Sequence, residues 1–121
     1  MSNPTEELEQ ITLINYIRNK YRDFIIFSIP NGATLKGNEH QRARQMNGLK
    51  ASGLLVGTPD LCLLLPNGKS LFIEMKREKG GRLSVHQKEF MKKADDLNHS
   101  VIVGYGYKDA IVKLEEYLSN I

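Results

Sequence analysis

Asp60, Glu74 and Lys76 are the residues whose types and spacing can do chemistry together. Asp60 closes the turn Gly57-Thr58-Pro59 and opens an apolar run. Leu71-Phe72-Ile73-Glu74-Met75-Lys76 then carries a carboxylate and a lysine two positions apart. Side chains two apart on a strand share a face, so Glu74 and Lys76 point one way and Met75 the other. Asp60, at the mouth of the neighbouring strand, brings a second carboxylate beside them. Carboxylates supply the oxygen ligands that a hard divalent cation takes. Such a cation lowers the pKa of a bound water and polarises a phosphate, and a lysine on the same face offsets charge developing at phosphorus. The set suits metal-assisted hydrolysis of a phosphodiester. Its plain competitor is a solvent-facing Glu–Lys salt bridge on a hairpin. Asp60 and its Gly/Pro turn favour the first reading, because both acids fall at strand positions that converge.

The elements that must position these groups follow from pattern. The β-branched and aromatic run Phe24 to Ile29 predicts a strand ended by Pro30-Asn31-Gly32. Further strands are expected over Asp60–Leu65, Ser70–Lys76 and Ser100–Gly104. The middle two are joined through Pro66-Asn67-Gly68-Lys69, where Asn-Gly signals a hairpin. A first helix starts from an Asn3 or Thr5 cap, with Pro4 at its first position and Glu6 at its third, and runs to about Tyr21. At about 100° per residue, Ile11, Ile14 and Ile17 share its apolar side, with Leu13 at the margin. Glu6, Gln10, Leu13 and Ile17 line one edge of that side, Glu7 lies within reach of it, and Glu9 points nearly opposite. Helical geometry thus excludes Glu9 as an inward acid and leaves Glu6 and Glu7 both open. Glu39 to about Ala51 is a polar, basic helix expected to pack weakly. After a basic loop from Glu78 to Leu83, Ser84-Val85-His86-Gln87 is a capping box opening a helix to about Leu97. Gln87, Phe90, Met91, Ala94 and Leu97 share its sheet-facing side. Gln87 is explained by the cap, yet on that side it also needs a polar partner. A closing helix is expected from Asp109 to Leu118.

The 121 residues amount to one domain, 1–121, with a core of ordinary size. The longest apolar run, Leu61 to Leu65, is too short to span a membrane. The first residues lack the basic and apolar regions of a signal peptide. Cys62, inside that run, reads as a small buried hydrophobe, and a lone cysteine suits a reducing, cytoplasmic compartment. His40, His86 and His99 have no ligand spacing. Net charge is only +3, but it is segregated. The first nine residues carry three Glu and no base, whereas Lys36, Arg42, Arg44 and Lys50 cluster against one Glu, as do Lys76, Arg77, Lys79 and Arg82. Acid and base divided in this way suit a metal site flanked by phosphate-binding surface, or equally a solvated charged surface. Asn31 serves either a turn with Gly32 or that surface.

Asp60, a strand, and then Glu74-Met75-Lys76 resemble the PD-(D/E)xK nuclease superfamily. The ordered series Glu6 and Gln10, Ile29-Pro30-Asn31-Gly32, Leu49-Lys50-Ala51-Ser52-Gly53, Gly57-Thr58-Pro59-Asp60-Leu61, Leu71 to Lys76, Gly80-Gly81-Arg82-Leu83-Ser84 and Gln87-Lys88 narrows this. It resembles the virus-type replication–repair nuclease (VRR-NUC) family over nearly the whole chain. Thr58 stands where a small aliphatic residue is common. The resemblance implies an α/β (α+β), restriction-endonuclease-like core, α-β-β-β-α-β, with a mixed central sheet flanked by helices. It implies Mg²⁺ or Mn²⁺ held by Asp60, Glu74 and the Met75 carbonyl, with Glu6 completing the site directly or through water. Lys76 would orient the attacking water or stabilise charge on phosphorus, and Gln87 would offer its amide to the site. Asn31, Lys36, Arg42, Arg44, Lys50, Arg77, Lys79 and Arg82 would contact DNA. The expected activity is endonucleolytic, by a homodimer on four-way junctions or other branched DNA. A nicking or flap nuclease targeted by a partner, and a non-catalytic DNA-binding module on the same fold, are the alternatives. Phage, restriction and repair settings would each suit such an enzyme.

Overall fold

Strand alternation divides the apolar runs between two faces of one sheet, and helices cover those faces unequally. The computed structural model describes residues 4–30 and 34–121. In it β1 (Ile25–Ser28), β2 (Leu61–Leu64), β3 (Ser70–Lys76) and β4 (Ser100–Tyr105) form a sheet in the order β1-β2-β3-β4. The first two pairings are antiparallel and β3–β4 is parallel, so the sheet is mixed, as expected. A parallel pair needs a crossover, and α3 (Val85–Asp96) supplies it. The β2–β3 hairpin turns through Pro66–Gly68 with Asn67 in the left-handed region at φ 64°, which asparagine tolerates.

Ile26, Leu61, Leu63, Leu71, Ile73 and Met75 point to one face. There they cluster with Leu13 and Ile17 of α1 (Glu6–Lys20) and with Ala110 and Leu114 of α4 (Tyr107–Ser119). On the other face Phe72 meets Phe90 of α3 edge to face, with ring centroids 5.6 Å apart. Toward β1 that same face leaves Ile25, Phe27 and Leu64 exposed. The helix α2 (Glu39–Ala51) is capped by Asn38 and buries none of its side chains, the weak packing its composition implied.

Two helical faces differ from expectation. Leu13 and Ile17 are fully buried, while Ile11 is 47% exposed. Ile11 lies roughly 160° round the helix from Leu13 at about 100° per residue, so a face centred on Leu13 turns Glu9 inward. Glu9 is 4% exposed, and its exclusion as an inward acid is corrected. The isoleucines misled because packing against α4 and the sheet chose the Leu13 line, and a backbone donor there satisfies an acid. Leu97 is 71% exposed, because α3 ends at Asp96 and Leu97, its C-cap, has left the sheet-facing line. Thr5 caps α1, its side chain accepting the Leu8 N–H at 3.1 Å; Asn3 lies outside the described residues. Among those residues no helix is long and apolar enough to cross a membrane.

Candidate active site

Asp60 enters from the loop just before β2. Its carbonyl accepts the Ile29 N–H at 2.8 Å, which fastens it to the end of β1. Its Oδ2 accepts the Met75 N–H, also at 2.8 Å, which ties the carboxylate to β3. The preceding turn is shaped by Gly57 at φ +95°, where a Cβ would lie 2.4 Å from the His86 carbonyl oxygen. Only glycine allows that backbone and that approach, so the Asp60 loop and the first turn of α3 rest directly on one another. On a strand the N–H and C=O of one residue point to the same edge. The Met75 carbonyl therefore also points toward Asp60.

Glu74 is 3% exposed, on the sheet face that α3 covers. Gln87 donates from Nε2 to Glu74 Oε1 at 2.9 Å. The Gln87 Oε1 accepts the Ser84 N–H at 2.8 Å, while Ser84 Oγ accepts the Gln87 N–H at 3.1 Å. The capping box thus occupies the amide oxygen and leaves the NH₂ aimed at the carboxylate. The cap and the polar partner that its sheet-facing side requires coexist in one side chain.

Lys76, buried at the end of β3, holds its Nζ 3.7 Å from Glu74 Oε1 and 4.0 Å from Glu6 Oε1. Of the two acids that sequence left open, both exposed to solvent, Glu6 is the one whose carboxylate approaches Lys76. Burial and the charge of Asp60 push the Glu74 carboxyl up to about 8. Lys76 opposes this, while a hydrogen bond with Asp60 and the charge of Glu6 add to it. Two carboxylates this close are stabilised by a shared proton or by a cation between them. The donors are all hard oxygens, which fits Mg²⁺ or Mn²⁺. Among the described residues no three His, Cys, Asp or Glu side chains cluster at metal-holding spacing. The carboxylate set is therefore a pair, with Glu6 at its margin beside Lys76.

Asp60, Glu74, Lys76, Glu6 and Gln87 thus come together. The basic residues do not join them. Arg77, Lys79 and Arg82 are exposed in the loop running from Lys76 to the cap of α3. Lys36, Arg42, Arg44 and Lys50 are exposed on α2 and its approach, with Arg42 donating to the Gly37 carbonyl. Asn31 lies outside the described residues. Sequence reasoning missed Glu9, whose carboxylate accepts the Tyr107 N–H. The i, i+4 line Glu9-Leu13-Ile17 was the available signal.

A mixed sheet with flanking helices, carrying an acidic pair and a lysine at one strand end, is a restriction-endonuclease-like core. The VRR-NUC domain family matches residues 6–107, and the chain belongs to that family, a nuclease-type domain. Among solved structures, a VRR-NUC domain protein is similar at 18% identity with a TM-score of 0.76, over 98% of this chain and 92% of its own. A second, a VRR-NUC domain, is similar at 18% identity with a TM-score of 0.60, over 94% and 99%. At that identity the likeness is one of fold. No curated protein matches by sequence.

Proposed function

We propose that the chain is a Mg²⁺- or Mn²⁺-dependent DNA endonuclease that acts as a homodimer on four-way junctions or other branched DNA. The observation that carries this reading is the meeting of the half-buried Asp60 with the buried Glu74, whose carboxyl is pushed up by burial and by the charge of Asp60, with Lys76 alongside. In this reading Asp60, Glu74 and the Met75 carbonyl hold the ion, and Glu6 completes the site directly or through water. When bound, the ion supplies Lewis acidity and a water of lowered pKa. Lys76, steadied between Glu74 and Glu6, orients the attacking water or offsets charge at phosphorus. Gln87 fixes the orientation of the Glu74 carboxylate.

Arg77, Lys79 and Arg82, with Asn31, Lys36, Arg42, Arg44 and Lys50, would contact phosphates. Such contacts position DNA and confer salt dependence without reading sequence, which suits recognition of DNA shape. One site cuts one strand, so paired cuts at a junction need two copies. The exposed Ile25, Phe27 and Leu64, on the sheet face that α1 and α4 leave open, offer an apolar surface for pairing.

The test is to incubate the protein with a synthetic four-way junction, a linear duplex, a flap and a single strand, with and without Mg²⁺ or Mn²⁺. Paired, metal-dependent nicks confined to the junction are expected. Single nicks in flap or duplex would replace the junction reading with a nicking enzyme, and no metal-dependent cleavage of any substrate would sink the nuclease reading.

A further inference from the structure

We infer that Glu9 is a positioning residue: it tethers the first turn of α1 to the start of α4 and so sets how closely Glu6 approaches Lys76. This rests on the proposed reading of Glu6 and Lys76 as parts of an active site. The helix α4 begins at Tyr107 behind Gly106, which has no side chain to cap it. The first N–H groups of a helix need acceptors, and a carboxylate suits the positive end of the helix dipole. Glu9, from a different helix, takes that place by accepting the Tyr107 N–H. The adjacent Gly106 N–H donates to the Lys76 carbonyl at 2.8 Å. Two consecutive residues therefore bind the backbone of Lys76 and the carboxylate of Glu9. Gly106 stands at φ +86°, and a Cβ there would lie 2.7 Å from Glu9 Oε2 and 3.2 Å from Glu78 Cβ. Glycine is what lets the three segments meet.

Glu6 lies less than one helical turn before Glu9, so the tether fixes the backbone from which the Glu6 carboxylate reaches Lys76. Lys76 is consequently held at both ends, its backbone through Gly106 and its Nζ by Glu74 and by Glu6 at 4.0 Å. An apolar residue at position 9 would simply extend the buried line of Leu13 and Ile17. A buried acid needs a bonded partner to be tolerated there. Its presence next to Glu6 is explained by placement, not by packing.

The experiment compares E9Q, E9A and E9L, alone and combined with E6A. It reads kcat and KM for metal-dependent cleavage of labelled DNA, and amide hydrogen exchange in the first turn of α1. E9Q keeps an acceptor oxygen and should stay within about threefold of wild type. E9A should lose about ten- to a hundredfold in kcat, the size expected from a small misplacement of a reacting group, with KM little changed. E9L fills the buried space, so it should fold at least as well as wild type and yet be as slow as E9A. Both losses should vanish in the E6A background, where exchange in the first turn still rises. An equal fractional loss with and without Glu6, or first-turn exchange unchanged in E9A and E9L, would overturn the tether. Should wild type cleave nothing, the nuclease reading falls, and the exchange comparison still decides whether Glu9 holds α1.

Discussion

α1 touches two acid clusters, one at each end, and they are built on opposite principles. Near its C-terminal end a single carboxylate, Glu115, receives the Tyr16 hydroxyl at 2.7 Å, the Tyr21 hydroxyl at 2.6 Å and the Lys20 ammonium at 3.0 Å. Burial pushes the Glu115 carboxyl up, but the hydrogen bonds from Tyr21, Tyr16 and Lys20, with the lysine charge, more than reverse that and hold it low. Near the N-terminal end, Glu74 has one amide donor at 2.9 Å and a lysine at 3.7 Å, while Asp60 and Glu6 crowd it. There burial and neighbouring charge win, and the carboxyl rises to about 8. A surplus of donors around one acid makes a structural clamp between α1 and α4. A surplus of acids around few donors leaves a charge that only a proton or a cation can settle.

The sharpest way to break this contrast is to remove one acid from each cluster. E74A is expected to lower metal-dependent cleavage about 10²- to 10³-fold, since Lewis-acid stabilisation is worth several kcal/mol and each ~1.4 kcal/mol is a factor of ten. E115Q should leave cleavage within about twofold. Comparable losses from both would show that the clusters do not differ in kind.

Cation binding gives the next largest effect. Mn²⁺ or Mg²⁺ at about a hundred times its Kd should stabilise wild type by about 2.7 kcal/mol, seen as an upward thermal shift. D60N/E74Q should show no shift, and E115Q should shift like wild type.

Opposite pH slopes are the finest test. With metal chelated, folded Glu74 keeps a proton that the unfolded chain releases above its ordinary 4.5. Its contribution is full below about 4.5 and is lost as pH rises toward about 8. Glu115, held low, contributes above the ordinary carboxyl range and loses that contribution as pH falls through its folded value. Urea unfolding across pH should lose the alkaline-side slope in E74Q and the acid-side slope in E115Q. Slopes unchanged in either variant would contradict the assignment.

Much of this was legible in the chain, and the exceptions are instructive. Strand β3 falls on Ser70–Lys76 as its alternation predicts, and α2 spans Glu39–Ala51 as its polar, basic composition predicts. Local rules sufficed because caps, turns and pleats are decided within a few residues. Glu9 failed because the side of α1 that is buried depends on α4 and the sheet, which no local period reveals, and three isoleucines outvoted one leucine. Glu6 could not be separated from Glu7 for the same reason. Gln87 was read correctly as both cap and inward amide, but only packing could show that the cap itself aims the amide at Glu74. The basic residues were legible as charge, yet their placement on exposed loops and helix α2 says nothing local about what they contact.

The most direct measurement is cleavage of a labelled four-way junction by wild type, D60A and E115Q side by side, with and without Mn²⁺ or Mg²⁺. Cleavage by wild type and E115Q that requires the ion, with D60A inactive, is the expected result. Cleavage by D60A at the wild-type rate would contradict a site built on the Asp60–Glu74 pair.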